Sequence, residues 1–299
     1  MANKSIDDDH LVTAHLYGDT VEISTAVGGN PVMRRYDKDH MVNVKTGEIK
    51  KVHHITSRAD PKNYESLRAT FKKLKRLIGA NFGDFLPLRS QLWLTLTYRE
   101  SPMTDGARLY DDFKRFMRKL RKITGKYLAY IVVIEPQASG SLHAHLLLKT
   151  LDGSRLYLPN SVVAKAWGQG FVNVRRLKDG DNVSAYLMAY LTDVDLNNLE
   201  GETNTKEEKK SIVKGGRLGL YPIGLQIYRR SKKGIRKPEK LRGKKQEIMG
   251  KTKLFNSAPD YYKKFDMMRS DEPFEIEVEF YSRKKARLKQ AMDKINKNN

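Results

Sequence analysis

Apolar positions along the chain recur with two different periods. Between Pro61 and about Ala80, Leu67, Phe71, Leu74 and Ile78 return every three or four residues, while Arg68, Lys72, Lys73, Lys75 and Arg76 occupy the other faces. This spacing predicts an amphipathic basic helix that closes at Asn81-Phe82-Gly83. Gln91 to Tyr98 (QLWLTLTY) is short and alternating, which predicts a buried strand. A second helical pattern, Leu109, Phe113, Phe116, Met117 and Leu120, runs through residues 107–123 with Lys and Arg on its outer side. Tyr130–Glu135 and His143–Lys149 read as two strands. Ala138-Ser139-Gly140-Ser141 forms the turn between them, so the pair is expected to be a β-hairpin. A helix over 160–167, a strand over Phe171–Arg175 and a helix from about Val183 follow.

The ends are less periodic. Residues 1 to 58 are polar and turn-rich, with GGNP at 28–31 and KTGE at 45–48, and predict only short strands. After Leu196 the segment NNLEGETNTKEEKK reads as a polar linker, and an apolar stretch resumes at Gly219–Tyr228. Arg229–Lys253 holds twelve basic residues against Glu239 and Glu247, and residues 282–297 read as a charged terminal helix. The expected fold is α+β, a central antiparallel sheet with flanking helices plus N- and C-terminal extensions. The expected divisions are 1–88, 89–228 and 229–299.

Composition narrows the chemistry. The 299 residues are enough to bury a sizeable core, and no run of eighteen apolar residues suggests a membrane-spanning helix. The N-terminus, MANKSIDDDH, has no apolar stretch of the kind a secretory signal needs. Cysteine is absent, which removes disulfides, thiolate metal sites and cysteine nucleophiles. Lys and Arg number 57 against 35 Asp and Glu, a net charge of +22. A balance of that sign draws polyanions, of which nucleic acid is the commonest.

Against that background one short segment stands out, Glu135-Pro-Gln-Ala-Ser-Gly-Ser-Leu-His143-Ala-His145. Histidines two apart on a strand project from the same face, because the strand's side-chain period is two. A turn over residues 138–141 would bring Glu135 beside them on the neighbouring strand. Two imidazoles and a carboxylate suit a divalent ion, Mn or Mg, with Zn also compatible. The alternative is a pair of hydrogen-bonded histidines with a purely structural role.

A second feature is Asp181-Asn-Val-Ser-Ala-Tyr186-Leu-Met-Ala-Tyr190. Asp181 or Asn182 can cap a helix start, and residues four apart then share one face. Two phenols would lie one turn apart. Val183, Leu187 and Leu191 fall on nearly the same stripe, so packing of both rings into a core is the competing reading. A metal site and a phenol together make a nuclease with a covalent intermediate, the metal polarising a phosphodiester and the tyrosine attacking it.

These motifs, in this order, resemble the rolling-circle replication initiators of the HUH endonuclease superfamily, carried by bacterial plasmids and phages. Leu94-Thr-Leu-Thr97 is similar to the family's first motif strand. Leu142-His-Ala-His-Leu-Leu147, preceded at eight residues by Glu135, is similar to its His-hydrophobic-His motif and third ligand. Tyr186 and Tyr190 are similar to the tyrosine helix of members that use two. The likeness covers roughly residues 90–195. It implies catalysis by Tyr190 and Tyr186 and a metal site at His143, His145 and Glu135. The activity implied is nicking of one strand of single-stranded or cruciform origin DNA through a 5′-phosphotyrosine. It further implies a host helicase and polymerase as partners, no membrane, and a bacterial cytoplasmic setting. One position departs from the family: three residues after each tyrosine stand Ala189 and Asp193 where a lysine is common, and Arg175 is the candidate substitute for DNA binding.

Other signals carry less. Gly250-Lys-Thr252 mimics the end of a phosphate-binding loop, but residue 245 is Lys rather than Gly and no apolar strand precedes it, so a helicase motor is not expected. Asp7-Asp-Asp-His10 reads as a solvated segment, and Trp93 and Trp167 as core. The alternative functions are a mobilisation relaxase or transposase with the same chemistry, and a nucleic-acid-binding protein without catalysis. Relaxases often place their tyrosines ahead of the histidine motif, so the chain order favours an initiator.

Overall fold

The computed structural model describes residues 5–26, 32–54, 56–57, 60, 64–83, 85–177, 218–254, 257–269 and 272–297. The chain begins with β1 (Leu11–Tyr17) and β2 (Thr20–Ser24), continues through the short strands β3 (Met33–Arg35), β4 (His40–Asn43) and β5 (Ile49–Lys51), and enters helix α1 (Tyr64–Gly79). Then come β6 (Gln91–Leu96), α2 (Gly106–Thr124), β7 (Leu128–Pro136), β8 (Leu142–Thr150), α3 (Asn160–Trp167) and β9 (Val172–Arg176). Beyond residue 217 lie β10 (Tyr228–Arg230), β11 (Glu239–Lys244), α4 (Lys245–Thr252), β12 (Tyr261–Arg269), β13 (Glu272–Ser282) and α5 (Arg283–Lys297). The fold is α+β with antiparallel sheets, and among the described residues no helix is long and apolar enough to cross a membrane.

The central sheet has the order β10-β7-β8-β6-β9, with every described pair antiparallel. Its middle strand is β8, the histidine strand. One face packs on α2 and α3: Phe113 meets Tyr130 edge-on at 5.1 Å, and Phe116 meets Trp167 at 5.6 Å. Helix α2 starts where the Asp105 carboxylate accepts from the amides of Ala107 and Arg108, and it stops at Gly125, whose φ of 63° only glycine adopts without cost. Both tryptophans are buried, as their strand and helix patterns predicted.

A second five-stranded sheet, β11-β1-β2-β13-β12, is built from the two ends of the chain. β1 pairs with β11, and β2 pairs with β13, so segments more than 220 residues apart share one ladder. One face of this sheet carries Ile6, Val12, Ala14, Val21 and Ile23 against Ile248, Met249 and Leu254. The other face meets α1. Leu67, Phe71, Leu74, Leu77 and Ile78 of α1 belong to the core of the central sheet, whereas Arg76 and Lys72 turn toward the terminal sheet and ion-pair with the buried Glu22 of β2. One amphipathic helix thus bridges two sheets, its apolar stripe to one and its cations to the other. Tyr17 packs where Gly79 carries no side chain; a Cβ there would stand 2.6 Å from the ring.

The Arg229–Lys253 run is folded throughout. It supplies β10 at one edge of the central sheet, β11 at one edge of the terminal sheet, and α4. Lys245 is an exception to its expected surface role. It is 3% exposed, and its ammonium donates to Ile6 O and lies 3.2 Å from the buried carboxylate of Glu279. Gly250-Lys-Thr252 ends α4 rather than beginning a helix, which is the wrong place for a phosphate-binding loop. The segment around Asp9 is exposed, with its carboxylate near Lys244 and Gln246.

Candidate metal centre

The hairpin of β7 and β8 turns where Gln137 N donates to Ser141 O and Gly140 N to Gln137 O. Gly140 sits at φ 81°, a conformation for which glycine is the natural residue. That turn sets a register in which Glu135 stands directly opposite His143, and Val133 opposite His145. Directly opposed residues of an antiparallel pair share a face, and so do residues two apart. All three side chains therefore converge on one side of the middle strand. This is the face opposite α2 and α3, since Tyr130, Val132 and Ile134 alternate with it.

The three groups are close. His143 Nε2 and His145 Nε2 are 2.9 Å apart, and they lie 3.6 Å and 3.3 Å from Glu135 Oε2. Two donors each about 2.1 Å from one ion are about 3.0 Å apart at a right angle and about 3.4 Å at a tetrahedral angle. The observed spacings span that range, so a single divalent ion fits the donor set. The residues are also held in place. Glu135 is 2% exposed and each histidine 7%. Among the described residues, Glu135, His143 and His145 are the one group whose geometry suits a metal ion.

Neighbours on β6 orient the imidazoles. Thr95 lies opposite His145, with its hydroxyl 3.3 Å from Nδ1, which leaves Nε2 for the shared centre. Trp93, one pair further along the same face, meets the His145 ring edge-on at 5.9 Å. The sequence places Thr95 in a motif strand but assigns it no task. Its contact depends on the β6–β8 register, which no local pattern encodes. Beyond Trp93, Lys149 closes the face by donating to Asn81 O at 3.1 Å and lying over Phe82. Burial, aided by the charge of Arg236, lowers its pKa to about 8.

Arg175 of β9 stands opposite Trp93 and so shares the face with the histidines. It is exposed, as a phosphate contact requires. Tyr186 and Tyr190 lie outside the described residues.

The comparisons with known proteins bear on this segment. Residues 91–195 match the family model for replication-associated proteins of the ORF2 type. The match covers about a third of the chain and contains β6, the Glu135, His143 and His145 group, Arg175 and both tyrosines. No curated protein and no solved structure gave a significant match. The family similarity supports a replication-associated role for the segment that carries the candidate centre.

Proposed function

We propose that the chain initiates rolling-circle replication by metal-dependent, site-specific nicking of one DNA strand. The observation that carries this reading is the convergence of Glu135, His143 and His145 within the span that resembles replication-associated proteins. A bound Mg or Mn ion would polarise a non-bridging phosphate oxygen and help orient the phosphodiester. Glu135, His143 and His145 would hold it, and Thr95 would keep the His145 ring turned toward it. Three protein ligands leave coordination positions for substrate.

Tyr190 is assigned as the initiating nucleophile and Tyr186 as the second. The phenolic oxygen bonds to phosphorus, the bond from phosphorus to the 3′ oxygen breaks, and that oxygen leaves with a proton as a 3′-hydroxyl. One phosphodiester is exchanged for another, so the linkage retains the energy needed for later rejoining. The free 3′-hydroxyl would prime a host polymerase. A host helicase would unwind the duplex. Arg175 and the net charge of +22 would draw single-stranded or cruciform origin DNA to the site.

Incubating the full chain with supercoiled origin DNA and Mn or Mg tests the reading. Expected products are nicked circles and a covalent protein–DNA band, both lost on adding a chelator. Tight DNA binding with no nick under any divalent ion would leave a non-catalytic nucleic-acid-binding protein.

A further inference from the structure

The face that carries the candidate centre continues across β6 to the outermost strand, β9. Thr95 is paired with His145 on one side and with Asn173 on the other. Strands lie about 5 Å apart, so this row reaches about 10 Å from the histidines. Two residues before Asn173 stands Phe171. Val172 is buried on the helix side, so Phe171 points to the side of His143 and His145, where it is 70% exposed.

A single exposed aromatic is ordinary on a protein surface. This one is presented by a rigid backbone. The amide and hydroxyl of Thr97 both donate to Phe171 O at 3.0 Å, and Arg99 N donates to Gln169 O at 2.9 Å. Between those bonds lies Gly170, where a Cβ would stand 2.6 Å from both Thr97 O and Arg99 N, so only glycine permits the approach. Trp167 braces the same turn by donating to Thr97 O at 2.7 Å. Asn160 Oδ1 accepts from Val174 N at 2.8 Å, which fixes the start of α3 against the outer edge of β9. Arg99, in the same turn, is exposed, and Arg175, on the histidine side of β9, is exposed further along the strand.

We propose that Phe171 is a stacking platform for a base of single-stranded DNA, with Arg99 holding an adjoining phosphate. An aromatic face with flanking guanidinium groups fits a polyanion of unpaired bases. Continuity with the candidate centre along one sheet face gives that strand a direction. The inference rests on the nicking reading for its role, yet base stacking is measurable without cleavage.

The test uses the full chain, without divalent ion, and a fluorescent single-stranded origin oligonucleotide. Loss of one stacked base should weaken binding by roughly 5- to 150-fold in Phe171→Ala. Phe171→Trp should bind within about threefold of the wild type, and affinity for a duplex of the same sequence should change little. In parallel, wild-type protein is photo-crosslinked to the oligonucleotide carrying 5-iodouracil, and the crosslinked peptide is expected to contain Phe171. Unchanged single-strand affinity in Phe171→Ala, equal losses in Phe171→Ala and Phe171→Trp, or crosslinks only elsewhere would each overturn the proposal. Recovery of a bound hydrophobic peptide in place of DNA would overturn it as well. Absence of nicking with these binding effects intact would count against the nicking reading alone.

Discussion

Arg76 of α1 forks onto Glu22 of β2, with Nε 2.8 Å from one carboxylate oxygen and Nη2 2.7 Å from the other. Fifty-four residues separate them, and Lys72 adds a third contact at 3.0 Å. Burial alone would raise the Glu22 pKa. The Arg76 hydrogen bonds and the charges of Lys72 and Arg76 overcome it and hold the carboxyl at about 2. This pair ties the helix that covers the central sheet to the sheet made from the chain's two ends.

Removing the guanidinium should therefore destabilise the whole molecule. Arg76→Ala leaves the buried Glu22 with the half-exposed Lys72 as its cation and the Tyr17 hydroxyl as a donor, and the expected loss is about 2–4 kcal/mol in urea unfolding. A midpoint equal to that of the wild type would show that the pair is not needed. The pH dependence has a definite sign. The folded pKa is below the ordinary carboxylate value of 4.5, so the stabilisation is complete above that value and disappears as pH falls from there toward about 2. Glu22→Gln should flatten this part of the stability profile.

The metal assignment predicts a separation of chemistry from affinity. His143→Ala combined with His145→Ala should abolish nicking and calorimetric binding of Mn, while duplex binding stays within a fewfold of wild type, because phosphate contacts by Lys and Arg supply it. Full nicking by the double variant with metal supplied would remove both residues from the centre.

The tyrosines are separable by deleting one oxygen at a time. Tyr→Phe keeps the ring and most of its packing. Tyr190→Phe should lose the covalent adduct on a single-stranded origin oligonucleotide. Tyr186→Phe should keep it and fail in termination. An adduct that maps to the peptide around Tyr186 alone would reverse the order, and no adduct with both phenols present would return them to a packing role.

The basic run should act through the DNA backbone, and the fold says which residues to change. Lys232, Lys233, Lys237 and Lys240 are exposed. Neutralising all four should reduce the slope of log affinity against log salt by about 0.9 for each duplex phosphate that is no longer bound. An unchanged slope would place this segment away from the duplex. Lys245 behaves differently: Lys245→Ala leaves Glu279 buried without its cation, so lowered thermal stability is expected rather than a changed salt slope.

Much of the centre is legible in the sequence because it depends on short-range geometry. A period of two puts His143 and His145 on one face wherever that strand lies, and the turn residues at 138–141 fix how far back Glu135 must be. The helices over 64–79, 106–124 and 160–167 follow from local signals, apolar periodicity in the first two, the Asp105 cap on the second and the glycine stops after the second and third, all of which act within a few residues. Tertiary structure decided everything that depends on which strand lies beside which. β1 and β2 are mixed in polarity and lie far in sequence from β11 and β13, and a strand's pattern specifies its buried face but not its partner. For the same reason Glu22 and Arg76, Thr95 and His145, and the exposed Phe171 beside the histidine row carry no local signal. The apolar spacing of α1 showed that the helix would be buried. Only packing determined that its cations would meet a buried carboxylate on a second sheet, because a charge finds its partner through space.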